Sequence, residues 1–436
     1  MSAISATISL SSIGEKSFTI KEGYKKTKLG WIPEDWETPR IDEVFDFLSS
    51  NSLSRNQLNY EEEEGIYNIH YGDIHATYKR PILDFENESR VPKINKEIAI
   101  SQTSDFLKDG DLVVADASED YEGVGEAIEL KNVNERKVIS GLHTFAFRDK
   151  TNKTAEGFRV YIFRNPLVKK ALKTIATGSK VYGISKGNLQ KFKIVLPTLP
   201  EQQKIATILS TWDSVIAKQE QLIIAKQEFK KGLMQLLLTG KKRFEGFEGE
   251  WEEVKLSSVS TFTNGKAHEQ DISLDGEFVV VNSKFISTDG KVRKNTNTQA
   301  SPLKKDDIVM VMSDVPNGKA LAKCYIIEEN ERYSLNQRIC SLKAKKMDVI
   351  FLWNQLNRNK YYLKFNDGIS QTNLKKKEVL NCPILRPEIK EQQKIASVLS
   401  AADKEIGLLQ SELATLRGQK RGLMQRLLTG EVRVEI

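Results

Sequence analysis

Apolar residues recur in steps of four and three along two long stretches of the chain, and no proline interrupts either stretch. A sustained seven-residue repeat of this kind is typical of a coiled coil. Each stretch predicts a helix of about 37 residues, roughly 55 Å long. The repeating positions are Ile205, Leu209, Trp212, Ile216, Ile223, Leu233 and Leu237 in the first stretch, and Ile395, Leu399, Ala402, Ile406, Leu409, Leu413, Leu416, Leu423 and Leu427 in the second.

Polar residues break the first pattern at Gln219, Lys226 and Lys230, and the second at Lys420. Two apolar seams of equal length in one chain most simply pair with each other, and the pair is antiparallel if a pseudo-two-fold axis relates the repeats. The breaks in the first seam predict a bundle that takes further helices from a partner. The alternative is that each helix packs as an ordinary amphipathic helix on its own domain, and the length of the helices argues against it.

The two stretches are copies of one another. EQQKIATILS begins at Glu201 and EQQKIASVLS begins at Glu391, with eight of ten residues identical at an offset of 190. The same offset relates GLMQ at 232–235 to GLMQ at 422–425, and LLTG at 237–240 to LLTG at 427–430. An unchanging offset over about 40 residues indicates that the length of this segment is functionally constrained.

The material before each copy matches more weakly and varies in length. YGIS at 182–185 corresponds to GIS at 368–370, and DWE at 35–37 corresponds to EWE at 250–252. The chain therefore alternates variable and constant segments. The predicted boundaries are an extension at 1–21, a variable domain at 22–200, a constant helix at 201–240, a second variable domain at 241–390, a second constant helix at 391–430 and a C-terminal tail at 431–436.

Both variable segments predict a mixed α and β domain, because short apolar runs alternate with Gly, Asp and Asn turns. Asp111-Leu112-Val113-Val114 and Asp307-Ile308-Val309-Met310 occupy corresponding places, each opening a buried strand that runs into a polar loop. The two domains thus look like one fold with diverged loops. The strand candidates are GIYNIHYGDIH, GDLVVADAS and HTFAFRD in the first domain, and GEFVVVNSKFIS, DDIVMVMSD and RICSLKA in the second.

Charge permits a nucleic-acid partner without requiring one, since 66 Lys and Arg against 59 Asp and Glu leave a net charge of +7. The three cysteines, Cys324, Cys340 and Cys382, fit no zinc spacing and no disulfide framework. They are expected to pack as small apolar residues in a protein of a reducing compartment, the cytoplasm. No apolar run is long enough to span a membrane, and the first residues lack the features of a signal peptide.

Signatures of catalysis are missing from the sequence. There is no phosphate-binding G-x-x-x-x-G-K-[ST], no G-x-G-x-x-G, and no Asn/Asp-Pro-Pro-aromatic tetrad of an adenine methyltransferase. Glu253 and Lys255 give a common E-x-K fragment without a partner acid. His70 and His75 are poorly spaced for a metal, so no metal site is predicted. The chain is expected to catalyse nothing by itself.

The arrangement resembles the specificity subunit of type I restriction-modification enzymes. The resemblance rests on two variable domains alternating with two helices that open with E-Q-Q-K-I-A and close with G-L-M-Q-x-L-L-T-G. GYKKTKLGWIPEDW at 23–36 also looks like that family's approach to its first target-recognition domain. The resemblance to this family implies an α+β fold in which two mixed α/β target-recognition domains are joined by two long helices. These helices would form an antiparallel, pseudo-two-fold coiled coil.

The resemblance also implies a mechanism. Each target-recognition domain would read one half of a bipartite, asymmetric site in double-stranded DNA, and the helices would set the half-site spacing. Two modification subunits would dock on the helices and methylate adenine with S-adenosylmethionine, and two restriction subunits would add a motor and nuclease that use ATP and Mg. The chain itself would bind no cofactor. A non-DNA coiled-coil scaffold with two ligand-binding domains is the alternative.

Candidate DNA contacts are polar and aromatic side chains in loops, because such side chains reach base edges and phosphates. The pre-helix loops 177–188 and 368–373 are the preferred phosphate-binding segments. The candidates are His70, Tyr71, Thr177, Ser179, Lys180, Tyr182 and Lys186 in the first domain, and Asn282, Ser283, Lys284, Asn336, Gln337, Arg338, Ser370, Gln371 and Asn373 in the second. For each of them, an ordinary solvated surface residue is the competing interpretation.

Overall fold

The structure is a computed structural model that describes residues 22–61, 64–268, 270–316 and 318–436. It divides into two compact units. Of the described residues, the first unit contains those up to Gln219 together with Leu413–Ile436, and the second contains those of Glu220–Glu412. The extension predicted at 1–21 lies outside the described residues.

The first unit contains a five-stranded sheet of order β3-β12-β8-β10-β6 and a four-stranded sheet of order β11-β5-β7-β4. In the second of these sheets β11 and β5 run parallel. The strands are β1 Tyr24–Lys26, β2 Trp31–Pro33, β3 Phe45–Leu48, β4 Leu58–Asn59, β5 Tyr67–Ile69, β6 Ile82–Asp84, β7 Lys93–Ile94, β8 Leu112–Ala115, β9 Ala117–Ser118, β10 Ala127–Lys131, β11 Val138–Ser140, β12 Thr144–Asp149 and β13 Tyr182–Gly183. The helices are α1 Ile41–Val44, α2 Tyr71–Ala76, α3 Arg159–Arg164, α4 Pro166–Ile175 and α5 Lys186–Gln190, and a 3-10 turn spans Arg55–Gln57.

The second unit repeats this plan with fewer strands. Its sheets have the orders β15-β22-β18-β20 and β17-β16-β21, and β16 and β21 run parallel. The strands are β14 Glu252–Lys255, β15 Ser260–Asn264, β16 Phe278–Val281, β17 Asn295–Thr296, β18 Ile308–Val311, β19 Ser313–Asp314, β20 Cys324–Ile326, β21 Tyr333–Leu335, β22 Ile339–Ala344, β23 Thr372–Asn373 and β24 Pro383–Arg386. The shorter helices are α7 Leu256–Val259, α8 Ser283–Ser287, α9 Val349–Leu356, α10 Lys360–Leu363 and α11 Lys376–Leu380.

Strand order confirms that the two variable domains share one fold. The central strand β8 lies between β12 and β10, and β18 lies between their counterparts β22 and β20. These two central strands carry the sequences that were matched at Asp111 and Asp307. The first domain has β6 as an additional strand at the edge of its five-stranded sheet and β4 as an additional strand at the edge of its four-stranded sheet. These added strands account for part of the greater length of its variable segment.

Two long helices, α6 (Leu199–Leu237) and α12 (Ile389–Leu428), carry the repeated segment. In the first unit the beginning of α6 packs against the end of α12, with Ile205 and Leu209 in the same apolar core as Leu427. In the second unit the roles are exchanged, and Leu237 of α6 shares a core with Ile395 and Leu399 of α12. The two helices therefore pair antiparallel, as the repeat predicts. All positions of both predicted seams are buried or half-buried.

The lysines that break the apolar pattern have partners on the opposite helix. In the first unit Lys420 binds Asp213 at 2.5 Å, and in the second unit Lys230 binds Asp403 at 2.5 Å. These two ion pairs occupy equivalent places in the repeat. Lys226 also binds Glu405, at 2.6 Å. The facing helix therefore supplies the acidic partners of these lysines, and a bundle that takes further helices from a partner stays a prediction.

Three further sequence predictions can be compared with the structure. The strand predicted over GIYNIHYGDIH ends at Ile69, and the rest of the segment is helix α2, so that part of the prediction is wrong. The three cysteines are free and buried, which confirms their predicted packing. In the segment predicted as a C-terminal tail, Val432 and Val434 pack against the core of the first unit. Among the described residues, no helix is long and apolar enough to cross a membrane.

Candidate nucleic-acid interface

The loops that follow the parallel strands form one edge of each variable domain, which we call the loop edge. In the first domain it contains residues 70–71 after β5 and 141–143 after β11. In the second it contains 282–284 after β16 and 336–338 after β21. Because parallel strands end at the same sheet edge, each pair of loops lies close together, and three of the four segments had been selected from the sequence.

Tyr71 is the centre of an aromatic cluster on the first loop edge. Its ring centroid lies 4.7 Å from that of His70, 5.3 Å from His143 and 6.2 Å from His75. Tyr71 itself is half-buried, whereas His75 and His143 are exposed. The cluster thus gathers three of the four histidines in the chain at a place where flat, polar-edged rings could stack or donate to a ligand.

His70 is buried, and its side chain has a structural task. Its Nδ1 accepts a hydrogen bond from the backbone N–H of Gly72, which caps the first turn of α2. Burial, together with the nearby Arg55 guanidinium, lowers the pKa of His70 below its ordinary value. His70 is therefore not an ordinary solvated surface residue, and its contact with DNA stays a prediction.

The remaining candidates of the first domain lie in the pre-helix loop. Tyr182 pairs with Ser118 across β13 and β9, and its ring lies 5.1 Å from that of Tyr121. Lys186 is exposed, with its Nζ 5.5 Å from the centre of the Phe47 ring. Thr177, Ser179 and Lys180 are also exposed. The loop therefore offers a surface of hydroxyl and ammonium donors with one aromatic pair at its base.

A cleft of about 600 Å³ is lined both by Tyr71 and by the 118–123 loop that pairs with β13. Its walls carry Glu119, Asp120 and Glu122, opposed by Arg164 and Lys169. Carboxylates accept hydrogen bonds from amino groups and repel phosphates. The sequence analysis identified this stretch only as a polar loop and placed no candidate contact in it.

The second loop edge combines fixed and exposed side chains. Asn282 caps α8 by accepting a hydrogen bond from the N–H of Phe285 at 2.9 Å. Asn336 is half-buried, and its side-chain oxygen accepts from the N–H of Gln337. The amide groups of both residues are thus partly engaged within the protein. Ser283, Lys284, Gln337 and Arg338 are exposed.

The 368–373 loop joins the same region through β19 and β23. Gln371 donates from Nε2 to the Ser313 hydroxyl at 2.8 Å, and Asn373 pairs with Ser313 in the strand register. The backbone of Met312 links the groups, since its N–H donates to Arg338 and its carbonyl accepts from Leu374. Ser370 donates instead to Asp367 within its own loop. The structure therefore brings together the candidates of the second domain.

Superposing the strand orders identifies His143 as the counterpart of Arg338, a residue that the sequence analysis missed. Both close a three-residue connection between matched strands, and both have a left-handed backbone, with φ of 54° and 65°. Both carbonyls accept from the residue after the central strand, Asp116 or Met312. His143 also places Nδ1 3.2 Å from the Asp116 carboxylate. An alignment of GLH at 141–143 with NQR at 336–338, each of which directly precedes a matched strand, could have identified His143 from the sequence.

No group of acidic, histidine or cysteine side chains among the described residues is arranged to hold a metal ion. The candidate residues of both loop edges are donors and acceptors suited to contact a polar or anionic ligand. Their placement on diverged loops of a repeated scaffold is the arrangement expected of two related readers.

Comparison with known proteins identifies relatives along almost the whole chain. The profile of the type I restriction modification DNA specificity domain matches residues 33–226 and 248–417. The chain is 27% identical over 452 residues to the type I restriction enzyme MjaVIII specificity subunit of Methanocaldococcus jannaschii, covering 96% of this chain and 98% of that protein. It is 25% identical over 445 residues to the putative type I restriction enzyme MjaX specificity subunit of the same organism, with the same two coverages.

Solved structures show the same fold. The crystal structure of a type I restriction-modification system S subunit from M. genitalium matches with a TM-score of 0.50 and 16% identity, over 90% of this chain and 96% of that one. A chain from a study of complex assembly and conformational transition of the type I R-M system matches with a TM-score of 0.56 and 14% identity, over 92% and 99%. At these identities the likeness concerns the fold alone.

Proposed function

The chain belongs to the type I restriction-modification DNA specificity family, and from that premise we propose that each of its two variable domains reads one half of a bipartite DNA site through its loop edge. The observation that carries the proposal is the repetition of one loop edge on two copies of one fold. Equivalent places on the two copies hold different side chains. Tyr71 and His143 in the first domain correspond to Ser283 and Arg338 in the second.

These differences favour an asymmetric site. Arg is a common reader of guanine in the major groove, because its fork can donate to both acceptors of that base. Histidine and tyrosine offer fewer donors and a stacking face. Two readers with unlike side chains at equivalent positions select unlike half-sites, so a protein with repeated architecture can recognise a sequence without internal symmetry.

We propose that the two long helices set the separation of the half-sites and receive the modification subunits. The support for docking is an apolar face on the second half of α6 that the described residues leave uncovered. It consists of Leu222, Phe229 and Leu236, which recur every seven residues and are 41%, 63% and 41% exposed. The equivalent places on α12 hold Glu412, Gln419 and Arg426, so the repeat does not reproduce this face.

The chemistry would then belong to the partners. We propose two modification subunits that transfer a methyl group from S-adenosylmethionine to adenine, and two restriction subunits that use ATP and Mg. The specificity subunit contributes the choice of site and the separation of the half-sites. This division agrees with the lack of any catalytic motif in the sequence.

Binding of the assembled methyltransferase complex to its DNA site should weaken steeply as salt rises. If roughly six to ten phosphates are contacted, affinity should fall about 10³- to 10⁵-fold between about 50 and 200 mM salt, because counterions are released on binding. Lys180→Ala and Lys186→Ala should each reduce the slope of log affinity against log salt by about one.

Fluorescence anisotropy with a labelled duplex gives this slope. Lys231→Ala is the matched control, because Lys231 is an exposed lysine of α6 that pairs with Glu228 and lies outside both the loop edges and the pre-helix loops. Binding that is insensitive to salt would contradict the DNA-reading role. Equal slopes in all four proteins would instead remove Lys180 and Lys186 from the interface.

A further inference from the structure

We propose that Glu201 and Glu391 are positioning residues that fix each recognition domain to both long helices, and so determine how sharply the half-site spacing is discriminated. The inference rests on the proposed function, because half-site spacing has meaning only for a bipartite reader. It concerns the first residue of the repeated word E-Q-Q-K-I-A and explains why that word occurs twice.

In the first unit, Glu201 joins three separate parts of the chain. Its carboxylate accepts from the indole Nε1 of Trp36 at 2.8 Å and from Nε of Arg433 at 2.6 Å, and its side chain is 1% exposed. Trp36 belongs to the start of the recognition domain, Glu201 to the first turn of α6, and Arg433 follows the end of α12. Arg433 also makes a bidentate ion pair with Asp35, in which Nη2 donates to Oδ2 at 2.6 Å and Nη1 donates to Oδ1 at 3.0 Å.

The second unit contains the same arrangement. Glu391, with a fully buried side chain, accepts from Nε1 of Trp251 at 3.0 Å and from the Arg243 fork at 2.9 and 2.7 Å. Arg243 follows the end of α6, as Arg433 follows the end of α12. The glutamates and the arginines both keep the offset of 190 residues. The presence of the same triad, centred on a buried carboxylate, in both copies of the repeat indicates that each domain requires this attachment.

Each tryptophan also touches the end of the other helix. A Cβ atom at Gly430, just after α12, would lie 3.2 Å from the Trp36 ring, and one at Gly240, just after α6, would lie 3.4 Å from the Trp251 ring. Both glycines have a left-handed backbone, with φ of 72° and 68°. A single ring therefore fixes its domain to the beginning of one helix and to the end of the other.

The next residue of the repeated word adds a second fixed point. Gln202 accepts from the N–H of Ala155 and donates to the carbonyls of Lys153 and Pro197, all at 2.9 Å. Gln392 likewise accepts from the N–H of Asp348 at 2.9 Å and donates to the carbonyl of Pro387 at 2.7 Å. Two adjacent side chains that hold two different parts of the domain restrict its rotation on the helix as well as its position.

A buried carboxylate with charged and neutral donors is sensitive to loss of its charge, because the donors are left without an equal acceptor. Glu201→Gln and Glu391→Gln keep the side-chain shape but replace the carboxylate by an amide. One of the two acceptor oxygens then becomes an NH₂ donor, which faces the N–H donors of the indole and the guanidinium. The domain would then be held less rigidly, and the cost of reading half-sites at the wrong separation would fall. Recognition of each half-site sequence depends on the loop edges and should persist.

The test is methylation by the full complex on a ladder of duplexes that carry both half-sites at the preferred separation and at separations one or two base pairs longer and shorter. Discrimination between preferred and displaced separations should fall about ten-fold or more in Glu201→Gln and in Glu391→Gln, the change expected when a hydrogen bond to a charged group is lost. Sequence preference within each half-site should stay unchanged. Glu228→Gln, an exposed glutamate on α6, is the control and should behave as wild type.

Trp36→Phe removes the indole donor together with the pyrrole ring but keeps a six-membered aromatic ring in the core. Its spacing profile provides the test if either glutamine variant fails to fold. A lower melting temperature with an unchanged spacing profile would overturn the proposal, because the triad would then serve stability alone. Loss of half-site sequence preference would overturn it as well. A wild-type complex without any preferred separation would refute the proposed function itself, which distinguishes the two failures.

Discussion

A complex with one extra heptad in each long helix should select half-sites that lie about three base pairs farther apart. Seven residues add about 10 Å of helix, and successive base pairs are separated by about 3.4 Å. A whole heptad keeps the apolar seam in phase. Both helices must be lengthened, because they pair antiparallel and their register is held by Lys420–Asp213 in one unit and Lys230–Asp403 in the other.

The insertions should be made at equivalent places in the repeat, after Gln219 and after Leu409. Affinity for the original site should fall roughly 100-fold, because contacts to one half-site are lost, and binding should recover on duplexes with a longer separation. Inserting the same seven residues at the exposed turn of Glu135 is the control and should leave the preferred separation unchanged. A preferred separation that does not change when both helices are lengthened would show that the helices do not set it.

Leu209→Ala and Leu399→Ala should each lower the free energy of unfolding by about 3 kcal/mol, which is typical of truncating a fully buried leucine. The two leucines are related by the repeat, both are 0% exposed, and each lies in the core of its own unit. Hydrogen exchange should therefore show faster opening of the first unit in the Leu209 variant and of the second unit in the Leu399 variant.

Leu408→Ala is the matched control, because Leu408 lies on α12 but is 63% exposed. It should cost well under about 1 kcal/mol. Chemical denaturation gives the totals, and exchange rates of the amides in each helix give the location. If the two buried variants were as stable as the control, the seams would not be the packed interiors that their periodicity predicts.

Sequence periodicity predicted the long helices because burial on one stripe leaves a regular apolar signal, and the internal repeat predicted their antiparallel pairing. The same reasoning did not find the roles of Lys230 and Lys420. A lysine at a seam position is only an interruption when one helix is considered, and its role emerges when the facing helix brings Asp403 or Asp213 to it. The exact offset of 190 residues already contained this information, since it relates both lysines and both aspartates.

The loop edges were predicted less completely, because loop contacts depend on folding that periodicity does not encode. Three of the four loop segments were selected from their polar composition, yet Asn282 caps a helix and His70 is buried. His143 was missed because a histidine in a three-residue connection carries no pattern of its own. The C-terminal residues were taken for a tail because Arg433 binds Glu201 and Asp35, and both of these partners lie far away in the sequence.

Sequencing modified adenines in DNA from a host that carries this subunit with its methyltransferase partner tests the central claim most directly. The expected result is one bipartite motif with two unlike half-sites, a fixed separation and a modified adenine in each half, and it should disappear when this subunit is deleted. A single continuous motif, two identical half-sites, or a modification pattern that does not depend on this subunit would contradict the account.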